Sequence, residues 1–336
     1  MLPRAAGLAP QPLGTRSRTC LRPPETPRFI LWLTSTWPRV TQGMLNRSCM
    51  PPIPDAKTQL CAIFGHPVGH SLSPAIHNAA FAELGLDLAY VAHDVEPQNL
   101  AKAMAAIRTL NYRGLSITIP HKVASLNLVD EVDETARHIG CINTVVNSGG
   151  ILKGYNSDGL GALGALRAAG VEPRGADVVV LGSGGAARAI AVTLAVQAPP
   201  KRLTLLGVDE PELLALAETL RLQGTTEVVT DKLESRTVVR VLKQAQLLLH
   251  TTPVGMAPNT ENSIVPVESL HSRFTVFDAV YTPRRTRLLR DAAERGCRVI
   301  EGLEMFLGQA LVQFQLWTGK TPPRETMRTI IEQRLG

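Results

Sequence analysis

The sequence predicts an α/β protein of two domains, and three observations carry that prediction. From residue 60 onward, short apolar runs alternate with longer amphipathic stretches, the pattern of strands joined by helices in a largely parallel sheet. Residues 178–188 read VVVLGSGGAAR and are followed by IAVTLAV. This places a buried strand, a glycine turn of the form G-x-G-x-x-A and a helix in the order of a dinucleotide-binding unit. Finally, a chain of 336 residues with 44% hydrophobic and 19% charged residues is long enough for two globular domains of ordinary size.

The elements follow in order. Residues 60–64 form a strand candidate, and the loop HPVGHSLSP leads to a helix with Ser73 as N-cap and Pro74 at its first position, closed by Gly85. Residues 88–92 read as a strand, 97–110 as a helix, and 114–119 as a strand broken by Pro120. Helical stretches begin at His121 and over 132–139. CINTVVNS and ILKGYN then flank Gly149-Gly150 as a β-hairpin. A helix over 160–169 precedes the glycine-loop strand. Beyond that loop, strands are expected at 202–206, 247–250, 275–279 and 298–300, and helices at 211–222, 284–295, 303–317 and 324–335. The run Arg284, Arg285, Arg287, Arg290 is expected to be a solvated helix face.

The net charge of +6 does not indicate a nucleic-acid partner. Residues 1–50 contain seven Arg, no Lys and one acid, Glu25, while the other 286 residues hold 28 basic and 28 acidic groups. Residues 1–56 are rich in Pro, Arg, Ser and Thr without helical or strand period. They are read as a disordered or mis-annotated leader rather than an organellar transit peptide. No apolar run approaches the ~20 residues that span a bilayer, so no membrane partner is expected. Five cysteines (Cys20, Cys49, Cys61, Cys141, Cys297) without a C-x-x-C pair fit a reducing compartment, and the expected location is cytoplasmic. His66, His70 and His77 lack an accompanying Cys or acid cluster, and Pro67 and Gly69 break helical spacing between the first two. Loop polarity accounts for them, and no metal is expected.

Polar residues recur around the ends of the strand candidates: Ser71 and Ser73, Thr118 with Lys122 four residues on, Asn143 in the hairpin's first arm, then Asn156 and Asp158 after its second. Ligands of open α/β sheets bind outside the carboxyl ends of the strands, so these residues can share one cleft. The segments GHPVGHSLSPAIHN, SITIPHK, CINT, NSDG, GSGGAAR and GLEMFLGQA, in this order, resemble the shikimate/quinate dehydrogenase family over about residues 60–320. The resemblance implies an N-terminal three-layer α/β substrate-binding and catalytic domain (57–158) and a C-terminal Rossmann NAD(P)-binding domain (159–301). It also implies closing helices (302–336) that pack back on the first domain. The implied reaction is reversible NAD(P)H-dependent reduction of 3-dehydroshikimate to shikimate, in chorismate and aromatic amino acid biosynthesis. An NAD-dependent quinate/shikimate dehydrogenase of quinate catabolism and a non-catalytic ligand-binding relative are the alternatives.

Position by position, Lys122 resembles the family's catalytic lysine and Asp158 its partner. An amine beside a carboxylate can take or return the hydroxyl proton of a ring alcohol. Ser71 and Ser73 match the pair that binds the substrate carboxylate, in the Ser-x-Ser form of shikimate-preferring members. Thr118, Asn143 and Gln309 match groups that bind ring hydroxyls, and Tyr281 a substrate-facing tyrosine. The cofactor set is Gly182, Ser183, Gly184, Gly185 and Ala186, with Asp209, Thr252, Ala279, Gly302 and Met305 as further contacts and Glu134 as a weaker one. Members that bind a 2′-phosphate carry an Asn-Arg-Thr type sequence after the second Rossmann strand. Here Leu206-Gly207-Val208-Asp209-Glu210 stands in its place. Asp209 can accept hydrogen bonds from a ribose 2′-hydroxyl and would repel a 2′-phosphate. The expectation is therefore NAD(H), with NADP(H), as in most of the family, as the alternative and Arg188 close to the phosphates. The only other expected partner is a small-molecule substrate, and the chain is expected to be a monomer or homodimer.

Overall fold

The computed structural model describes residues 54–224 and 226–335. Apart from its last three residues, the segment read as a leader lies outside them, as do Cys20 and Cys49. The first half comprises β1 (Gln59–Gly65), α1 (Ser73–Glu83), β2 (Leu88–Asp94), α2 (Leu100–Thr109), β3 (Gly114–Ile117), β4 (Glu131–Val132), α3 (Glu134–Ile139), β5 (Thr144–Ser148) and β6 (Ile151–Tyr155). Its sheet runs β2-β1-β3-β5-β6-β4. β1 is parallel to β2 and β3, whereas β5 is antiparallel to β3 and β6. Gly149 and Gly150, with φ of 63° and 93°, supply the two left-handed positions that a two-residue hairpin turn requires.

The second half comprises α4 (Asp158–Ala168), β7 (Asp177–Leu181), α5 (Gly185–Gln197), β8 (Arg202–Gly207), α6 (Glu210–Arg221), β9 (Glu227–Lys232), α7 (Ser235–Leu242), β10 (Leu247–His250), β11 (Thr275–Asp278), α8 (Arg287–Glu294), β12 (Arg298–Ile300), α9 (Gly302–Thr318) and α10 (Arg324–Leu335). Its strands lie in the order β12-β11-β10-β7-β8-β9, and every neighbouring pair is parallel. This is the doubly wound order of a dinucleotide-binding fold. The chain reverses direction across the sheet between β7 and β10, where the glycine loop leaves β7.

Both sheets are covered on two faces, which explains why their central strands are continuous apolar runs. Cys61 and Ile63 of β1 join α1, α9 and α10 in one core, while Ala62 and Phe64 join α2 in another. Val178 and Val180 of β7 pack with α4, α5 and α6; Val179 and Leu181 pack with α7 and α8. Helix α9 contributes Leu303, Leu307, Ala310, Phe314 and Trp317 to the core of the first sheet. Helix α4 sits between α5 and α9, and two glycines make that possible. A Cβ on Gly159 would lie 2.0 Å from Thr193 Oγ1, and one on Gly161 would lie 2.6 Å from the Gln309 nitrogen.

Several elements differ from their sequence expectation. Ser73 is not an N-cap: α1 already includes it, its side chain makes no capping bond, and its own N–H donates to Ser71 Oγ at 3.3 Å. The stretch after Pro120 is a 3₁₀ turn at Ala124–Leu128. Val132 belongs to β4, and α3 starts at Glu134 because Asp133 accepts from Thr135 and Ala136 N–H. Strand β9 and helix α7 were not anticipated. β9 is an edge strand whose polar and apolar residues give no buried run. The arginine run is solvent-exposed as expected, with side-chain exposures of 40–61%, but it is divided between the segment before α8 and α8 itself and carries ion pairs. Arg284 and Arg285 precede α8 and both pair with Glu301, itself only 14% exposed, and Arg290 pairs with Glu261.

His77 also departs from its expectation as a loop residue. It lies inside α1, fully buried, stacked on Tyr90 at 4.7 Å and tilted against Trp317, with neither ring nitrogen hydrogen-bonded. Burial lowers its pKa to about 3 from the ordinary 6.5. Above pH 6.5 neither folded nor unfolded chain holds a proton there. Below it only the unfolded chain does, so the fold should lose about 1.4 kcal/mol per pH unit down to the folded value. Urea unfolding between pH 7 and pH 5 should therefore show a steeper loss for wild type than for His77→Phe, whereas equal slopes would contradict this reading.

Candidate active site

A cavity of about 200 Å³ opens between the carboxyl ends of the first sheet and the start of α9. Ser71, Ser73, Thr118, Lys122, Asn143, Asp158, Tyr281 and Gln309 all line it, as do Ala186, Ala279, Gly302 and Met305. These residues come from the loops after β1, β3 and β11, from the residue just before β5, from the starts of α1, α4 and α5, and from the first half of α9. The chain thus brings together side chains separated by more than two hundred positions. Glu134, in the first turn of α3, is not among the lining residues.

Lys122 Nζ donates to Asp158 Oδ2 at 2.5 Å, with side-chain exposures of 28% and 13%. The second carboxylate oxygen accepts from Asn143 Nδ2 at 2.8 Å. Asp158 is fixed further by its position, since it opens α4 and its N–H donates to Asn156 Oδ1. Asn156 also donates to the Cys141 carbonyl and is thereby a scaffold for this corner. Burial disfavours the charged form of Lys122, but the adjacent carboxylate outweighs it and holds the ammonium above its ordinary pKa. Burial raises the Tyr281 phenol, and Lys122 partly opposes that shift. The Tyr281 ring stacks on Phe306 at 5.2 Å, and Gln309 donates to the Phe306 carbonyl.

The glycine loop lies beside this cavity. Gly182 has φ of 111°, and a Cβ there would meet Thr251 Oγ1 at 2.7 Å, so the tight turn requires glycine. Cβ atoms on Gly184 and Gly185 would meet nothing within 4 Å, and α5 begins at Gly185 without a side-chain cap. Open space in front of unpaired first-turn N–H groups suits a pyrophosphate, so the residues present fit a dinucleotide. Thr252 is held in place behind the loop. Its hydroxyl lies 2.5 Å from His250 Nε2, and His250 Nδ1 lies 2.8 Å from the buried Asp278 carboxylate.

Asp209 has a structural duty that the sequence did not reveal. Its Oδ1 accepts from Glu212 N–H at 2.9 Å and caps α6. The carboxylate that contacts the glycine loop belongs instead to Glu212, which accepts from Ser183 Oγ at 2.8 Å. Glu212 was missed although Asp209-x-x-Glu212 has capping-box spacing. Ser116, Phe306 and Gln313 also line the cavity and were not singled out. Ser116 lies in β3 two residues before Thr118, and Gln313 lies one helical turn beyond Gln309 on α9, so spacing from the residues already singled out points to both.

The family description "Shikimate dehydrogenase substrate binding domain" matches residues 63–145, and "Shikimate 5'-dehydrogenase C-terminal domain" matches residues 302–332. The chain is 43% identical over 281 residues to the shikimate dehydrogenase (NADP(+)) of Moorella thermoacetica, covering 84% of this chain and 95% of that one. It is likewise 43% identical to the shikimate dehydrogenase (NADP(+)) of Methanopyrus kandleri over 84% of this chain and 97% of that one. Among solved structures, the shikimate 5-dehydrogenase of Listeria monocytogenes in complex with shikimate and NAD superposes with a TM-score of 0.80 at 31% identity, covering 84% and 99% of the two chains.

Proposed function

Because the chain belongs to the shikimate dehydrogenase family, we propose that it reversibly reduces 3-dehydroshikimate to shikimate with a nicotinamide dinucleotide. The observation that carries this reading is the 2.5 Å contact between Lys122 and Asp158 on the wall of a cavity that also reaches Ala186 of the glycine loop. When bound, the nicotinamide supplies or accepts the hydride. The chain's own residues do the rest. Gly182, Ser183, Gly184, Gly185 and Ala186 would hold the pyrophosphate, with Thr252, Ala279, Gly302 and Met305 toward the nicotinamide end. Ser71 and Ser73 bind the substrate carboxylate where α1 begins. Thr118, Asn143, Gln309 and Tyr281 orient the ring hydroxyls. Lys122 Nζ gives a proton to the carbonyl oxygen in reduction and takes it back in oxidation, and Asp158 keeps the amine aimed and charged. Conversion in the cytoplasm suits three buried, unpaired thiols, Cys61, Cys141 and Cys297.

For the cofactor, the names of the curated relatives weigh toward NADP(H), and the residues after β8 weigh toward NAD(H). No cation occurs from Leu206 to Glu212, Val208 is 79% exposed, and Asp209, Glu210 and Glu212 are acids. A 2′-phosphate brought there would meet like charge without a guanidinium to hold it. We therefore favour NAD(H) for this chain. A steady-state matrix of shikimate and quinate against NAD⁺ and NADP⁺ tests the whole reading. Shikimate with NAD⁺ should give the highest kcat/KM. Preference for NADP⁺ would overturn the cofactor assignment, preference for quinate the substrate assignment, and shikimate binding without turnover the enzyme itself. In a second test, Val208→Arg combined with Asp209→Ala should move binding affinity toward NADP⁺ by about tenfold or more. An unchanged affinity ratio would mean that this loop does not face the 2′ position.

A further inference from the structure

We propose that Gln313 is a positioning residue for the proton-transfer pair, acting from α9 through a one-way chain of hydrogen bonds that ends on Asp158. The inference rests on the reading of Lys122 and Asp158 as that pair. Tyr90 Oη donates to Ser116 Oγ at 2.7 Å, and Ser116 Oγ donates to Gln313 Oε1 at 3.0 Å. Gln313 Nε2 donates to Thr144 Oγ1 at 3.1 Å, and Thr144 Oγ1 donates to Asn143 Oδ1 at 2.8 Å. Asn143 Nδ2 then donates to Asp158 Oδ1, opposite the oxygen that Lys122 holds. Every donor points toward the carboxylate.

Two backbone groups fix this direction. Ser157 N–H, which can only donate, meets Asn143 Oδ1 at 2.7 Å, so the other end of that amide must face Asp158. The Asn143 carbonyl, which can only accept, lies 3.5 Å from Gln313 Nε2 and sets the Gln313 amide in the same sense. Tyr90, Ser116, Asn143, Thr144 and Gln313 are all at most 4% exposed, so water does not compete for these bonds. In such surroundings each bond polarises the next, and an anion is the natural end of a chain of donors. Gln313 touches the cavity, but its carbonyl and both amide hydrogens are engaged within the chain. Its role is therefore to hold the others. Without it, Thr144 Oγ1 can turn to Ser157 Oγ, 3.2 Å away, and the Asn143 amide loses one of the bonds that lock it against Asp158.

Lys122 apart, burial shifts the other titratable groups near the chain in the direction that favours their neutral forms. Burial lowers His77 to about 3 and raises Cys61 to about 12 at the far end, and it raises Tyr90 well above the phenol range. At the near end burial also raises Cys141 and Tyr281, while Lys122 remains charged beside Asp158. A carboxyl introduced at position 313 is then a group whose own titration the pH profile can read. Protonated, it accepts from Ser116 and donates to Thr144, rebuilding the one-way chain; ionised, it cannot donate.

The test compares Gln313→Leu, Gln313→Glu and Thr144→Val with wild type, each checked for folding by circular dichroism. Gln313→Leu should lower kcat about tenfold or more with substrate KM changed less than about threefold, and should move the basic limb of the kcat profile to lower pH. Gln313→Glu should regain kcat as pH falls, opposite in trend to wild type. Thr144→Val cuts the next link and should match Gln313→Leu, which decides the matter if the leucine variant does not fold. A raised KM with unchanged kcat, or a Gln313→Glu profile parallel to wild type, would overturn the proposal. A wild-type profile that is unaffected by loss of Lys122 would instead overturn the reading on which it rests.

Discussion

Both oxygens of the Asp158 carboxylate are committed, one to Lys122 and one to Asn143, and much of the architecture depends on that. A partly buried carboxylate is costly unless it is paired and hydrogen-bonded. Here the two partners come from different places in the chain, the turn after β3 and the residue just before β5, and meet Asp158 in the first turn of α4. Asp158 is also where the chain leaves the first sheet for the second. The residue that aims the amine therefore opens the helix that joins the two halves. Gly159 and Gly161 let that helix approach α5 and α9 closely, so a side chain at either would displace the helix that carries the carboxylate.

The return of α9 to the first sheet closes the arrangement. One face of α9 packs Leu303, Leu307, Phe314 and Trp317 into the core with β1. Its Met305 reaches the core of the second sheet, and Gln309 and Gln313 face the cavity between. The site is thus built at a junction, and each half alone would lack one of its walls. Glu301 and Glu304 at the start of the same helix are held by Arg284 and Arg285 on one side and Arg324 and Arg328 on the other. This ties the loop that carries Tyr281 to α10.

The parts of the fold and site legible in the sequence were those set by local chemistry. The β7 strand, the Gly182 turn and α5 are contiguous, and each follows from its own residues. Lys122, Asn143 and Asp158 stand close to strand ends and within the segments that carry the family resemblance, and the cavity brings them together. What escaped depends on partners far along the chain. Ser73 looks like a cap, yet Ser71 accepts its N–H. Asp209 caps α6 through Oδ1, a duty that shows only once the helix is in place, and Glu212 is the acid that reaches Ser183. Arg284 and Arg285 are exposed, yet only the folded chain places Glu301 beside them. Edge strand β9 has no buried period to announce it, and Gln313 sits in an apolar helix where only the neighbours across the interface explain an amide.

In the function proposed above, the Lys122 amine, held by Asp158, moves the hydroxyl proton rather than merely holding the substrate. The most direct measurement is shikimate oxidation by Lys122→Ala, with turnover and substrate dissociation constant determined separately. In this variant kcat should fall on the order of 10²–10⁴-fold with a small change in dissociation constant. A loss confined to substrate affinity, with kcat preserved at saturation, would contradict it.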